Sequence, residues 1–134
     1  MSDLIVEKKT EEDKKIIKLI NEWGDDIKHI FPHFEEEEME FSNIFLLNYE
    51  NKNAGIFIYQ HKGEELHIHV DYLIPEFRNL GVGKKFFNEK ISVFSKSGYK
   101  TLVSLTDNRT HIKYLKSIGF ILSNNHPDRY ELSL

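Results

Sequence analysis

Cysteine is absent from the 134-residue sequence, and its absence excludes disulfide bonds, a thiolate nucleophile and cysteine-ligated zinc. Nothing in the residue usage therefore indicates an oxidising compartment. The sequence also lacks a signal peptide and any apolar run long enough to cross a bilayer. We therefore expect a cytoplasmic protein that has no membrane partner.

Basic residues are not in excess, because 18 lysines and arginines are outnumbered by 22 aspartates and glutamates, and the formal net charge is −4. This balance argues against a surface that coats nucleic acid, so no nucleic-acid partner is expected. Apolar residues make up 40% of the chain and aromatic residues 13%. That content suffices for one sizeable core, and the length is too short for two ordinary domains. We expect a single domain spanning residues 1–134.

Hydrophobic periodicity predicts both strands and helices. Alternating or continuous apolar runs indicate strands, and apolar residues at i, i+4 and i+7 indicate helices. The first helix carries its apolar stripe at Ile16, Ile20 and Trp23, and we expect Thr10 to cap it and Gly24 to end it. The predicted strands are Leu4–Val6, Ile44–Tyr49, Ala54–Tyr59, a strand beginning at Leu66, Thr101–Leu105, and a closing hairpin of Phe120–Ser123 with Arg129–Leu134.

The connections between these elements predict how the strands pair. Short turns join the strands from Ile44 to the strand beginning at Leu66, so these strands should form an antiparallel meander. A helix separates the Leu66 strand from Thr101–Leu105, and a strand, helix, strand crossover makes two strands parallel. The expected fold class is therefore α/β, of the α+β kind. It has a mixed, mostly antiparallel sheet with a central parallel strand pair and flanking helices.

The stretch from Leu66 to Phe94 carries the clearest functional pattern. A strand breaks at Pro75 and leads through Arg78-Asn79-Leu80-Gly81-Val82-Gly83 into an amphipathic helix. The first N–H groups of a helix lack intrahelical partners and carry partial positive charge, so anions bind there. The two glycines leave the backbone accessible to a diphosphate, and the arginine and the following Lys84 supply charge. A glycine pair after a strand is also found in ordinary tight turns.

The spacing Arg78-x-x-Gly81-x-Gly83 resembles the acetyl-CoA-binding signature of the GNAT superfamily of N-acetyltransferases. A later segment, from Asn108 to Gly119-Phe120, resembles a second motif of the same superfamily, and the two motifs occur in the expected order. The resemblance implies a GNAT-like fold and acetyl-CoA as the cosubstrate. It also implies an enzyme, an N-acetyltransferase that passes the acetyl group to a primary amine by direct attack.

The resemblance also implies where the cofactor lies. The edge at Leu73 and Ile74 would hydrogen-bond the pantetheine arm, and the Leu73 N–H would polarise the thioester carbonyl. Amides from Leu80 to Lys84 would hold the pyrophosphate, and Asn108 would orient the cofactor, although an asparagine there also suits a helix cap. The expected cofactor-binding residues are Leu73, Ile74, Arg78, Asn79, Leu80, Gly81, Val82, Gly83, Lys84 and Asn108.

Acetyl transfer needs a base for the amine and an acid for the departing thiolate. A glutamate that some relatives hold six residues before the Leu73 position is His67 here, and an imidazole also accepts protons at neutral pH. Strand alternation would place Asp71 on the same face as His67. The tyrosine that many relatives use as the acid corresponds to Leu115, and Tyr114 is one residue early. The expected catalytic residues are His67, Asp71 and Tyr114, with no metal.

Two alternatives to an acetyltransferase follow from the same residues. The missing tyrosine favours an acyl-CoA-binding or interaction module without turnover. His67-x-His69-x-Asp71 would place three metal ligands on one strand face. The acidic run Glu35–Glu38 forms either a solvated helix face or an attraction for a cationic amine. The expected acceptor is a small-molecule or peptide amine, and a homodimer is allowed.

Overall fold

A computed structural model describes residues 4–10, 12–35, 43–78 and 80–134. The strands are β1 (Leu4–Lys9), β2 (Asn43–Tyr49), β3 (Lys52–Lys62), β4 (Glu65–Leu73), β5 (Thr101–Leu105), β6 (Ile121–Leu122) and β7 (Arg129–Ser133). The helices are α1 (Lys14–Ile30), α2 (Val82–Lys96) and α3 (Arg109–Ile118), and a 3₁₀ turn at Pro75–Phe77 precedes α2. In the part of the chain that the structure describes, no helix is long and apolar enough to cross a membrane.

The strands form one seven-stranded sheet in the order β1-β2-β3-β4-β5-β7-β6. β4 and β5 are parallel, and the other neighbouring strands are antiparallel. The predicted mixed sheet with a central parallel pair is therefore confirmed. The parallel pairing is short, running from Glu65 with Thr101 to Ile68 with Ser104, whereas β4 continues to Leu73.

Two apolar cores cover the two faces of this sheet. On one face, called the α1 face, Ile16 and Ile27 of α1 lie in one buried cluster with Val70 of β4. On the other, called the α2/α3 face, Phe87 of α2 and Leu115 of α3 lie in a second buried cluster. Burying a large apolar side chain stabilises a fold by about 1.5–3 kcal/mol. Packing on both faces therefore fixes the three helices against the sheet.

Both ends of α1 differ from the prediction. Asp13 caps the helix in place of Thr10, because Asp13 Oδ1 accepts hydrogen bonds from two N–H groups of the first turn at 2.9 and 3.4 Å. The helix does not end at Gly24 but continues to Ile30. Ile27 and Ile30 extend the buried stripe, and their burial outweighs the cost of about 1 kcal/mol for a glycine in a helix interior.

β4 contains a bulge at His69 that reverses its side-chain alternation. Tyr59 of β3 pairs with Ile68, but the preceding Ile58 pairs with Val70, so the register skips His69. An extra residue in one strand shifts the two-residue pattern by one position. Ile68 accordingly lies in the core of the α2/α3 face, and Val70 lies in the core of the α1 face.

The prediction that His67 and Asp71 share a strand face is therefore wrong. Asp71, after the bulge, pairs with Phe57, a residue of the α2/α3 core. Directly opposed residues of paired strands lie on the same face, so Asp71 lies on the α2/α3 face. His67 precedes the bulge and is the neighbour of Ile68, which lies in the α2/α3 core, so alternation places His67 on the α1 face.

Candidate active site

A cleft of about 730 Å³ lies beyond the last β4–β5 pair. It is bounded by the end of β4, the N-terminus of α2, the start of α3 and one side of α1. The structure therefore brings many of the predicted site residues together. Those that line the cleft are Asp71, Leu73, Arg78, Gly81, Gly83, Lys84, Asn108 and Tyr114.

The Leu73 N–H is directed into this cleft. The Ile74 N–H donates to the Ala54 carbonyl oxygen of β3 at 2.9 Å. Backbone groups alternate sides along a strand, so the Leu73 N–H points away from β3. On that side the pairing with β5 has already ended at Ile68 with Ser104. Leu73 thus offers the amide predicted at this edge, whereas the N–H of Ile74 is engaged in the sheet.

The N-terminus of α2 also lies at the cleft. Gly81 is the N-cap residue, with a φ of 74°, a left-handed conformation that glycine adopts without strain. Its carbonyl oxygen accepts from the Lys85 N–H at 3.0 Å, so the amides from Val82 to Lys84 precede the first intrahelical bond. The Val82 side chain is buried in the α2/α3 core, and the side chains of Leu80 and Lys84 are exposed. The loop therefore presents backbone donors at the cleft.

Arg78 is bound by neighbouring groups of the protein. Its Nε donates to the Leu73 carbonyl oxygen at 2.8 Å, and its Nη2 donates to Asp26 Oδ2 of α1 at 2.6 Å. The Tyr72 hydroxyl donates to the same carboxylate oxygen at 2.7 Å. Burial alone would raise the pKa of Asp26, but these hydrogen bonds outweigh it and lower the pKa. Arg78 thus ties α1 to the end of β4, and Asn79 lies outside the described residues.

Asp71 forms a buried pair with a residue that the sequence analysis missed. Its Oδ1 lies 2.9 Å from Nε2 of His111, in the first turn of α3. The two side chains are only 5% and 10% exposed. The second carboxylate oxygen, Oδ2, is buried and has no hydrogen-bond partner among the described residues. A buried, unpaired carboxylate oxygen is costly, and such groups are found at sites of chemistry or ligand binding.

Asn108 orients the helix that carries His111. Its Oδ1 accepts from the His111 N–H at 3.0 Å, so the helix-cap interpretation is confirmed. The Asn108 N–H donates to Thr106 Oγ1 at 3.1 Å, and that hydroxyl donates to the Ile30 carbonyl oxygen at 2.6 Å. The Phe31 ring, just after α1, packs edge-on against the imidazole with ring centres 4.8 Å apart. These contacts fix the position of the imidazole, and a direct role of Asn108 toward the cofactor stays a prediction.

Tyr114 lies beside His111 and faces the start of α2. Its ring centre is 5.4 Å from that of His111, and a Cβ atom added at Gly83 would overlap the Tyr114 hydroxyl. Burial raises the pKa of Tyr114, and the negative charge of Asp71 raises it further. The hydroxyl is therefore protonated at neutral pH. Leu115, the position of the family's tyrosine, is buried in the α2/α3 core.

His67 lies in a second, smaller cavity. Its Nε2 is 3.0 Å from Glu65 Oε1, and the other oxygen of Glu65 accepts from Arg129 Nη2 at 2.7 Å. The hydrogen bond from His67 is the main cause of a lowered pKa of Glu65; burial opposes it and Arg129 reinforces it. The structure therefore does not bring His67 together with Asp71 and Tyr114. The cavity measures about 140 Å³ and is lined by His33, Phe34, Lys62, His67, Ile68, His69, Val103 and Leu105.

The metal hypothesis for His67-x-His69-x-Asp71 assumed one shared strand face, which the bulge removes. His69 Nε2 lies 3.2 Å from Gln60 Oε1, and both His69 and His67 line the smaller cavity. Within residues 4–10, 12–35, 43–78 and 80–134, no three histidine, aspartate or glutamate side chains are grouped to hold a metal ion. Of the acidic run Glu35–Glu38, all but the exposed first residue lie outside the described ranges.

Solved structures with the same fold include three acetyltransferases. A GNAT family acetyltransferase from Elizabethkingia anophelis with acetyl-CoA bound has a TM-score of 0.75 and 18% identity, with 100% of both chains covered. The PaiA N-acetyltransferase from Thermoplasma acidophilum in complex with coenzyme A has a TM-score of 0.73 and 15% identity, again with 100% of both chains covered. A Bacillus subtilis acetyltransferase in complex with CoA has a TM-score of 0.70 and 17% identity, with 98% of this chain and 99% of that chain covered.

At these identities the likeness to solved structures shows the fold. No curated protein matches the sequence. The family model described as the acetyltransferase (GNAT) family matches residues 10–120, which include β4, the glycine loop, the cleft and α3. The chain therefore belongs to the GNAT family of acetyltransferases.

Proposed function

We propose that the protein is an N-acetyltransferase that transfers the acetyl group of acetyl-CoA to a primary amine by direct attack. One observation carries the proposal: the Leu73 N–H and the N-terminus of α2 open into the same cleft. The first suits a carbonyl oxygen that becomes negatively charged, and the second suits a diphosphate. Acetyl-CoA contains both groups, and one of the solved structures with this fold has acetyl-CoA bound.

The α2 end of the cleft is the proposed pyrophosphate site. The amides from Val82 to Lys84 supply donors without intrahelical partners, and the helix dipole favours negative charge there. Gly81 and Gly83 place no side chain over these amides, and Lys84 adds a positive charge at the edge. The cleft volume of about 730 Å³ falls within the range of about 300–1,000 Å³ for small-molecule sites. This space suits the pantetheine arm and acetyl group.

The β4 end of the cleft is the proposed site of acetyl transfer. A neutral amine attacks the thioester carbonyl carbon, a carbon–nitrogen bond forms, and the carbonyl oxygen becomes an oxyanion. The Leu73 N–H is the proposed donor to that oxygen, because its direction is fixed by the sheet before the substrate arrives. The carbon–sulfur bond then breaks and releases the thiolate. The acceptor we propose is a small-molecule or peptide amine, and we place the reaction in the cytoplasm.

Thermal unfolding with and without acetyl-CoA, in parallel with a zinc titration, tests the cofactor site. A ligand at about 100 times its Kd stabilises the folded state by about 2.7 kcal/mol, which raises the Tm by several degrees in a chain of this size. A shift with acetyl-CoA that grows with concentration supports the site. The absence of a shift at millimolar acetyl-CoA, above all beside a response to zinc, contradicts it.

Release of free thiol from acetyl-CoA in the presence of a panel of amines tests the transfer itself. Release that depends on both the amine and the protein supports an acetyltransferase. A thermal shift with acetyl-CoA, combined with no thiol release for any amine class, would favour the alternative of an acyl-CoA-binding module. Small polyamines, amino-acid amides and short peptides with free N-termini cover the proposed acceptors.

A further inference from the structure

We propose that His111, held by Asp71, carries the proton from the attacking amine to the departing thiolate. The inference rests on the proposed acetyl transfer and adds a catalytic residue to which the resemblance to the family assigns no role. It starts from the juxtaposition of an imidazole and a buried carboxylate in the wall of the cleft that also contains the Leu73 amide and the α2 N-terminus.

The hydrogen bond to Asp71 assigns the two ring nitrogens of His111. An ionised carboxylate is only an acceptor, so the nitrogen 2.9 Å from Asp71 Oδ1, Nε2, carries the hydrogen. In a neutral imidazole the other nitrogen then has a free lone pair. The described residues give Nδ1 no hydrogen-bond partner. Nδ1 is therefore the proton acceptor, and Asp71 is the positioning residue that fixes the tautomer and the ring.

The imidazolium that would form during the reaction lies beside a buried carboxylate. Asp71 is 5% exposed, and its Oδ2 lacks a hydrogen-bond partner within the described residues, so its charge is compensated chiefly by His111. In a site shielded from water, the attraction between opposite charges 2.9 Å apart, the distance from His111 Nε2 to Asp71 Oδ1, is several times stronger than in water. The Tyr114 hydroxyl beside them is protonated and adds no negative charge.

Other ionisable groups face the same cleft from each neighbouring element. They are Asp26 and His29 of α1, Arg78 before α2, Lys84 of α2 and Lys113 of α3. Asp26 is engaged by Arg78 and Tyr72. His111 is hydrogen-bonded to the Asp71 carboxylate. The other charged groups act on the imidazole only across the cleft.

Protons and charges balance over the reaction when His111 carries one proton from the amine to the thiolate. As the amine nitrogen bonds to the carbonyl carbon, its excess proton moves to His111 Nδ1, giving an imidazolium. When the carbon–sulfur bond breaks, the electron pair stays on sulfur, and the imidazolium gives the proton to the thiolate. The products are the N-acetyl amine and free CoA thiol, and His111 returns to its neutral form. No further reactant is needed.

The variant His111→Gln tests this role, because glutamine retains hydrogen-bonding groups but does not take up a proton at neutral pH. We expect kcat to fall about 100-fold or more, the range for loss of a general acid–base group, while the thermal shift with acetyl-CoA is retained. The limb of the pH–rate profile that reports histidine deprotonation should disappear. His61→Gln, an exposed position outside the cleft, is the matched control and should retain parental kcat.

Chemical rescue separates a proton carrier from a structural residue. The variant His111→Ala should regain turnover when free imidazole is added, in proportion to the neutral imidazole present. Three outcomes would overturn the proposal: parental kcat in His111→Gln, loss of its acetyl-CoA thermal shift together with turnover, or no rescue of a folded His111→Ala. If the parent protein itself shows no acetyl-CoA shift or thiol release, the proposed function fails first, so the two failures are distinguishable.

Discussion

Two histidine–carboxylate pairs lie on either side of the bulge in β4, and their surroundings differ more than their geometry. His67 and Glu65 are 3.0 Å apart, and His111 and Asp71 are 2.9 Å apart. Glu65 is 39% exposed and also binds Arg129, whereas Asp71 is 5% exposed and pairs with His111 alone among the described residues. A short distance is therefore a weak guide to function. Charge compensation and access to the cleft distinguish the two pairs.

The position along β4 explains the difference. Glu65 and His67 lie where β4 is paired with β5, and Arg129 of β7, the strand beyond β5, reaches Glu65 across the sheet. Asp71 follows the point where that pairing ends, so its half of the strand borders an open cleft. One strand thus carries a structural ion network in its first half and the proposed chemistry in its second. Substitutions at the cleft and in the ion network test this division.

The largest expected effect is at the cleft loop. The variant Gly81→Glu places a carboxylate at the proposed pyrophosphate site, and two like charges about 4 Å apart near a surface repel by about 4 kcal/mol. We expect CoA affinity to fall about 1,000-fold, measured by calorimetry. Gly63→Glu is the control, because Gly63 also has a positive φ, 61° against 74° for Gly81, with no atom within 4 Å of an added Cβ at either position. Unchanged CoA affinity in Gly81→Glu would rule out this site.

The second prediction compares the effects of the Asp71 and Glu65 carboxylates on kcat. Asp71→Asn removes the charge that holds His111, so we expect kcat to fall about 100-fold with CoA affinity retained. The matched variant Glu65→Gln breaks the ion network with Arg129 and should leave kcat within about twofold, since neither residue lines the cleft. Steady-state kinetics on both variants provide the comparison. The reverse order of kcat values would assign the chemistry to the other pair.

The third effect concerns packing at the cleft. Gly83→Ala forces a methyl group against the Tyr114 hydroxyl, and overpacking of this kind costs about 1–3 kcal/mol. We expect a lower free energy of unfolding in urea, and we expect the effect of Gly83→Ala to be smaller in a Tyr114→Ala background. Gly24→Ala, in the middle of α1 with no atom within 4 Å of the added Cβ, should instead stabilise by about 1 kcal/mol. Equal effects at the two glycines would contradict the contact with Tyr114.

The smallest effect is the acid sensitivity of the ion network. The pKa of Glu65 is lowered in the folded state, so its stabilisation is complete above its unfolded pKa and is lost as pH falls through the folded value. The parent should therefore lose more stability than Glu65→Gln between neutral pH and about pH 3, by less than about 1 kcal/mol because the side chain is partly exposed. Urea unfolding at the two pH values measures this. The pKa of Asp26 is also lowered, but its effect on the pH dependence of stability is the same in the parent and in Glu65→Gln.

The order and type of the elements were readable from the sequence because most apolar residues follow one period within each element. The crossover through α2 also predicted the parallel pair correctly. The bulge at His69 was not readable. Leu66 and Ile68 are buried on one face of the sheet and Val70 and Tyr72 on the other, so an unbroken alternation of buried residues runs through the bulge. When apolar cores cover both faces of a sheet, a register shift leaves the hydrophobic pattern of the strand unchanged, so the sequence does not reveal it.

The candidate site was readable in part, for a related reason. The glycine loop is a local motif, and its residues were found from their spacing. The pairing of Asp71 with His111 joins residues 40 positions apart, which local patterns do not report. One signal was present: His111, Leu115 and Ile118 fall at i, i+4 and i+7, so a histidine occupies the face of α3 that packs inward. The end of α1 was missed because a single glycine was given more weight than the apolar residues after it.

The four residue pairs between β4 and β5 are also a seam in the fold. Strands β1 to β4 lie on one side of it, and β5, β7 and β6 lie on the other. The proposed ligand would touch β4 and α2 on one side and α3, which follows β5, on the other. Bound acetyl-CoA would then bridge the two parts of the sheet, which few β4–β5 pairs join directly. The same molecule that supplies the acetyl group would decide whether the two parts of the sheet open separately or unfold as one body.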